Sequence, residues 1–187
     1  MIKPTFSFVC IARNEEKTLP RLLKSLDEFK SRGGEVCVLD TGSSDKTAEV
    51  ARSWGAKVEE VGSKFLTVIS KEQADKMNDR FVVDKEALVV NEGDKLFDFA
   101  SARNYASKMS SNDFIWMPDC DEIFTKLDID IIQGEIDNGA EQLEYNFVFS
   151  HDIYGNEAIK FTHSKAYDRR RLKWTNIIHE ILTPINK

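Results

Sequence analysis

Three cysteines in 187 residues, Cys10, Cys37 and Cys120, are too few and too widely spaced to form a disulfide framework. Two fall in predicted strands and read as core thiols, so a reducing cytoplasm is the expected compartment. No apolar stretch is long enough to span a bilayer. A signal-peptide core is missing too, because the apolar run from Thr5 to Ile11 is short and is followed by Arg13, Glu15 and Glu16. Internal repeats, low-complexity tracts and linkers are absent, so one domain over residues 1–187 is expected. There is no surplus of positive charge. The net charge of −6 argues against nonspecific nucleic-acid binding, leaving only Asp168-Arg169-Arg170-Arg171 as a contributor to a local basic groove. What is present, 41% hydrophobic and 31% charged residues, suits a soluble domain with a full core.

The hydrophobic pattern alternates between strand and helix. Phe6 to Ile11 reads as a first strand. Leu19, Leu22, Leu23, Leu26 and Phe29 recur at helical spacing behind Pro20. Val36 to Leu39 is a buried strand ending at Asp40, and Thr41 to Asp45 is a turn with good capping residues. A helix follows from Thr47 to Trp54, closed by Gly55, and Lys57 to Val61 is a third strand. This order implies parallel pairing with right-handed crossovers. Ser70 to Gln73 is a capping-box match, predicting a helix from Lys71 to about Arg80. Phe81 to Val83 and Ala87 to Val90 look strand-like. Phe99, Arg103, Ala106 and Met109 mark another helix, and Ile129 to Ile136 a further one. Leu143 to Phe149 alternates as a half-buried strand, with Ile159 to Tyr167 as its hairpin partner around Tyr154-Gly155-Asn156.

Chemistry concentrates where strands end. Phe114-Ile115-Trp116-Met117-Pro118 runs straight into Asp119-Cys120-Asp121-Glu122. Carboxylates at the exit of a buried strand suit a divalent cation that holds a phosphate, since hard cations prefer oxygen ligands; a solvated loop is the plain alternative. Two other polar clusters sit at strand exits: Ala12-Arg13-Asn14-Glu15-Glu16 and Asp40-Thr41-Gly42-Ser43-Ser44-Asp45. Open α/β sheets bind ligands at the carboxyl ends of their strands, so parallel neighbours would set all three clusters on one rim. Asp40 could accept from a base N–H, and the Gly42 turn would let backbone approach a ligand closely.

Together these stretches resemble family 2 glycosyltransferases, the inverting nucleotide-sugar enzymes of GT-A fold. The likeness is carried by Ala12 to Glu16, Val38 to Thr47, Phe97 to Asn104, the Asp-x-Asp element at Asp119 to Asp121, and Trp174-Thr175-Asn176-Ile177-Ile178-His179-Glu180. The resemblance implies a Rossmann-like, mostly parallel sheet flanked by helices, with a small C-terminal antiparallel hairpin. It implies that Ile11, Ala12, Arg13 and Glu15 border base and ribose, that Asp40 reads the base, usually uracil, beside the Gly42 turn, and that Arg103 faces the diphosphate. Asp119 would lie by the ribose or the metal, Asp121 would bind Mn²⁺ or Mg²⁺, and His179 would be a later metal or phosphate ligand. The implied reaction moves a single sugar from a nucleotide-sugar, with UDP favoured, to an acceptor the sequence does not identify. The general base departs from the family pattern, because no Glu-Asp dipeptide exists here. Glu180 is the first candidate and Asp152 the second. The chain stops soon after Glu180, where relatives often continue, so a further C-terminal region is an open expectation.

Other readings compete. The run Leu39 to Ser44 also matches the aspartic-protease signature, which needs a mostly β fold and two such aspartates. A sugar-nucleotide nucleotidyltransferase would resemble this chain in fold but calls for a glycine-rich N-terminal loop, and residues 8–16 hold no glycine. A non-catalytic nucleotide-sugar-binding module is the third alternative.

Overall fold

The computed structural model describes residues 3–81, 89–177 and 179–185. Its elements are β1 (Phe6–Ala12), α1 (Leu19–Ser25), α2 (Asp27–Ser31), β2 (Glu35–Asp40), α3 (Thr47–Trp54), β3 (Lys57–Glu60), β4 (Leu66–Val68), α4 (Lys71–Phe81), β5 (Lys95–Phe97), α5 (Phe99–Ser107), β6 (Phe114–Trp116), α6 (Ile129–Asp137), β7 (Gln142–His151), β8 (Glu157–Asp168), β9 (Leu172–Thr175) and β10 (Ile181–Pro184). Six strands form one sheet in the order β3-β2-β1-β6-β8-β7. The first four are parallel, and β8 enters antiparallel beside β6. Two further strand pairs, β4 with β5 and β9 with β10, stand apart.

Strand β1 is buried on both faces, as a central parallel strand covered by helices must be. Its residues alternate between two cores. Phe6, Phe8, Cys10 and Ala12 point to one, with Leu19, Leu22, Leu23 and Phe29. Val9 points to the other, with Ala102, Ala106 and Met117. The helix predicted from Leu19 to Phe29 is broken at Leu26, whose backbone leaves helical geometry. The break lets Phe29 pack against Phe6 and Phe8, with ring centroids 4.9 and 4.8 Å apart. Helix α3 ends as expected on Gly55, at φ 103°. The capping box forms in both directions: Ser70 N donates to Gln73 Oε1, and Gln73 N donates to Ser70 Oγ.

The antiparallel part expected near the C-terminus is present as the longer β7–β8 hairpin at one edge of the main sheet, followed by the small β9–β10 pair. Strand β8 is 12 residues long, and its last three join the main sheet against β6. The short strands β4, β5, β9 and β10 carry too few residues to show a period and were not anticipated. The strand-like runs at Phe81 to Val83 and Ala87 to Val90 fall largely outside the described residues.

Candidate active site

Because β2, β1 and β6 are parallel neighbours, the three polar clusters do share one rim. Beyond Ala12 and Asp40, which pair in register, the two chain segments are stitched together. Thr41 N donates to Ala12 O at 2.9 Å, Asn14 N to Ser43 Oγ at 2.9 Å, Ser44 N to Asn14 Oδ1 at 2.8 Å, and Glu15 N to Thr47 Oγ1 at 2.7 Å. These bonds satisfy backbone N–H groups that a loop over a sheet edge would otherwise leave unmatched. Asp40 is buried and uses one oxygen for the turn, accepting from Gly42 N at 2.9 Å and Ser43 N at 2.8 Å. Its other oxygen, Oδ2, is buried with no hydrogen-bond partner among the described residues. Gly42 sits at φ 100°, and a Cβ there would lie 3.2 Å from the backbone of Gly62.

A cleft of about 440 Å³ opens over this rim, lined by Ile11, Ala12, Arg13, Glu15, Arg103 and Asp121 among others. Six of the predicted donor-site residues, Asp119 among them, thus meet in one place with Asp121. Asp40 and Gly42 form the turn beside it, with the intervening Thr41 in its wall. The sequence reading missed the apolar side of this cleft, Phe97 and Phe99, whose rings pack edge to face at 4.8 Å.

Arg103 is the hub of the second half of the site. It projects from α5, which starts on the Asp98 cap. Its guanidinium is 5% exposed, donates through Nε to Glu180 Oε1 and through Nη2 to Asp119 Oδ1, both at 2.7 Å, and lies over the Trp174 ring. Its Nη1 is buried with no hydrogen-bond partner among the described residues. Trp174 is held in turn by paired hydrogen bonds between its backbone and the Asn104 side chain. Lys165, on β8, donates to Asp119 Oδ2 and Glu122 Oε1, both at 2.5 Å. Burial works against the charge of Asp119, but Arg103 and Lys165 outweigh it and hold the carboxyl below the usual range. At Glu122 burial dominates and Lys165 only partly offsets it, so that carboxyl is raised. Lys165 was not singled out in the sequence. The available signal was a cation set directly before buried Ala166 and Tyr167 at the end of the alternating run.

A second cavity of about 560 Å³ lies across Arg103 and Asp119, which line both, and is walled by His163, Lys165, His179 and Glu180. Glu180 therefore faces this cavity, with Oε1 engaged by Arg103. Asp152, the other candidate base, is elsewhere. It sits in the exposed β7–β8 turn, where its carboxylate accepts from Tyr154 N, Asn156 N and Asn156 Nδ2. That carboxylate organises a turn at the far end of a long hairpin and is removed from the site. The arginine run after Asp168 is no basic groove: Arg169 and Arg170 pair with Asp113, Arg170 with Asp168, and Arg171 with Glu141.

The proposed metal set does not assemble either. Among the described residues no group of three His, Cys, Asp or Glu side chains could hold an ion. Both oxygens of Asp119 are taken by cations, and exposed His179 lines the other cavity from Asp121. Asp121 is exposed at the donor cleft, and among the described residues none hydrogen-bonds its carboxylate. One free carboxylate fits a Mg²⁺ or Mn²⁺ whose remaining ligands are phosphate oxygens and water, and does not fit an all-protein cage.

The protease alternative fails on architecture. Its signature lies in a parallel α/β sheet, leads directly into α3, and occurs once. No helix among the described residues is long and apolar enough to cross a membrane.

Part of the chain is similar to known proteins. Residues 7–77 match the family described as Glycosyl transferase family 2. A 54-residue stretch is 54% identical to the 4,4'-diaponeurosporenoate glycosyltransferase of Staphylococcus haemolyticus (strain JCSC1435), covering 29% of this chain and 14% of that protein. Among solved structures, S. aureus TarS 1-349 aligns over 71% of this chain and 32% of its own, at 21% identity and TM-score 0.48. Glucosyl-3-phosphoglycerate synthase from Mycobacterium tuberculosis, crystallised with Mn²⁺, UDP and glucosyl-3-phosphoglycerate, aligns over 63% of this chain and 33% of its own, at 25% identity and TM-score 0.40. The chain thus spans a small part of the curated relative and about a third of each structure.

Proposed function

We propose, from the match of residues 7–77 to glycosyl transferase family 2, that the chain moves one sugar from a nucleoside-diphosphate sugar, UDP favoured, to an acceptor hydroxyl. The observation that carries this reading is the cleft at the exits of β1, β2 and β6, which places Arg13, Glu15, Arg103 and Asp121 around one volume beside the Asp40 turn. Asp40 Oδ2 is the unused acceptor that a uracil N–H would satisfy. Arg103 Nη1 is the unused donor that would meet a diphosphate oxygen.

Transfer is a single displacement that inverts the anomeric carbon. The acceptor oxygen forms its bond to that carbon as the bond to the diphosphate breaks, and the acceptor proton passes to a carboxylate. Glu180 is the carboxylate on the cavity side, with Oε2 making no protein hydrogen bond among the described residues. Arg103 fixes its position and separates it from the donor cleft. Asp121 would hold Mn²⁺ or Mg²⁺, which neutralises charge on the leaving diphosphate.

Calorimetry with UDP, GDP and dTDP, each with and without Mn²⁺, tests the site. UDP binding that needs Mn²⁺ and disappears in Asp121→Asn supports the proposal. Absence of binding by all three nucleotides removes it. Release of UDP from UDP-sugars, absent in Glu180→Gln, separates an enzyme from an inert binding module.

A further inference from the structure

The β7–β8 hairpin is much longer than the sheet it joins. Strand β6 pairs with β8 only at Ala166 to Asp168, so β8 from Glu157 to Ser164 has β7 as its one ladder partner. A two-stranded ribbon is marginal in water unless a face is covered. This one carries a row of rings. Tyr145 packs on Trp116 of the core at 4.7 Å and stacks with His163 at 5.9 Å. His163 touches Phe147 and Phe161, at 5.0 and 5.2 Å, and Phe161 continues to Phe149. Exposure rises along the row, to 43% at Phe161 and 67% at Phe149. Apolar surface gathered in this way marks a contact site.

The row starts at the cavity. His163 is both a wall of the Glu180 cavity and a member of the ring cluster. Burial, then Lys165, holds its imidazole below the usual range, so at neutral pH the row meets the cavity as an uncharged ring. A molecule that presents a hydroxyl to Glu180 and leaves the cavity past His163 passes onto Phe161, Phe147 and Phe149. From Tyr145 to Phe149 this path is roughly 15 Å long.

We propose that the acceptor is an amphiphile, with its hydroxyl-bearing head in the Glu180 cavity and an extended apolar body along the aromatic face of the β7–β8 ribbon. This rests on the transferase reading for the cavity's role. Continuity between the cavity and the ring row favours a bound acceptor over a second copy of the chain.

The test compares two probes on the full chain in the presence of UDP and Mn²⁺: methyl glucoside, which has no tail, and decyl glucoside below its micelle concentration. The variant is Phe149→Ser with Phe161→Ser, both exposed enough to spare the core. Decyl glucoside should bind at least about tenfold more tightly than methyl glucoside, and the variant should lose that advantage. Equal binding of the two probes, or a tail advantage that survives in the variant, overturns the proposal. So does a dimer in sedimentation that the variant converts to monomer, since a second copy would then occupy the face. UDP affinity is measured in parallel. Its absence from the native chain sinks the transferase reading, whereas intact UDP binding without tail dependence sinks this proposal alone.

Discussion

The two halves of the site are built on different principles. The donor half, around Asp40 and Asn14, is a set of short polar side chains bonded to backbone N–H groups of adjoining loops, most within the segments 12–16 and 40–47. The far half, around Arg103, is a chain of long charged side chains drawn from α5, β8, the β6 exit and the β9–β10 loop. The first is side-chain bonding to backbone N–H groups that shapes a rigid edge. The second is an ion network in which each carboxylate depends on a cation remote in sequence. A network of that kind is costly to break from one side, because the partner left behind is an uncompensated charge.

The largest expected effect is therefore at Arg103. Arg103→Ala strands Asp119 and Glu180 and should lower unfolding free energy by about 3 kcal/mol, toward the lower end for buried pairs because water reaches the Asp119 side chain. Urea denaturation measures this, and UDP affinity should fall with it. In the donor half, Asp40→Ala removes the acceptor for two backbone N–H groups and should cost about 2 kcal/mol. Asp40→Asn keeps a carbonyl for both but replaces the free Oδ2 acceptor with a donor. It should stay near native stability in the same denaturation and lose uridine-nucleotide binding. If Asp40→Ala and Asp40→Asn are equally destabilising, the description of this edge as held by side-chain bonds to backbone N–H groups is wrong.

Acid sharpens the contrast further. The folded-state pKa of Asp119 is depressed, so its contribution is present above the ordinary carboxylate range and is lost as pH falls through the lower folded value. Glu122 has the opposite sign: its raised folded pKa favours folding below the ordinary range and is lost as pH rises through the folded value. Carboxyl resonances followed by NMR should show Glu122 titrating above Asp119. In Lys165→Met both should move upward. Smaller still, Asp121→Asn should alter stability by no more than about 0.5 kcal/mol, because the side chain is exposed and unpaired, while removing Mn²⁺-dependent UDP binding. Asp152→Ala should leave UDP release from UDP-sugars unchanged, with a thermal shift within the small loss expected for an exposed turn.

The same contrast explains what could be read from the chain alone. The donor half was legible because its parts are contiguous: a buried strand, its terminal acid, a glycine and the caps of the next helix lie in one run from Val36 to Thr47. Parallel pairing then fixed the neighbours. The ion network was half legible. Arg103, Asp119 and Glu180 came from ordered motifs, but Lys165 lies 46 residues from Asp119 and carries no local mark of its role. The pairing of Asp119 was hidden for the same reason, since nothing beside it reveals the cations that occupy both oxygens. Asp152 looked like a free acid because the turn that engages it is closed by its own neighbours. Short strands such as β9 and β10 are held by tertiary contact, through Asn104 and Trp174, and no period of three or four residues can announce that.

Gly42 constrains how this sequence can drift. The atoms that its missing Cβ would strike belong to the main chain of Gly62, so no exchange of residue at 62 makes room. A library that randomises both positions should return glycine at 42 in nearly every functional clone, and at 62, where a Cβ meets nothing within 4 Å but φ is +55°, glycine with some Asn and Asp. The lineage can vary that neighbouring bend only within left-handed geometry, and it holds position 42 hostage to a backbone it cannot mutate.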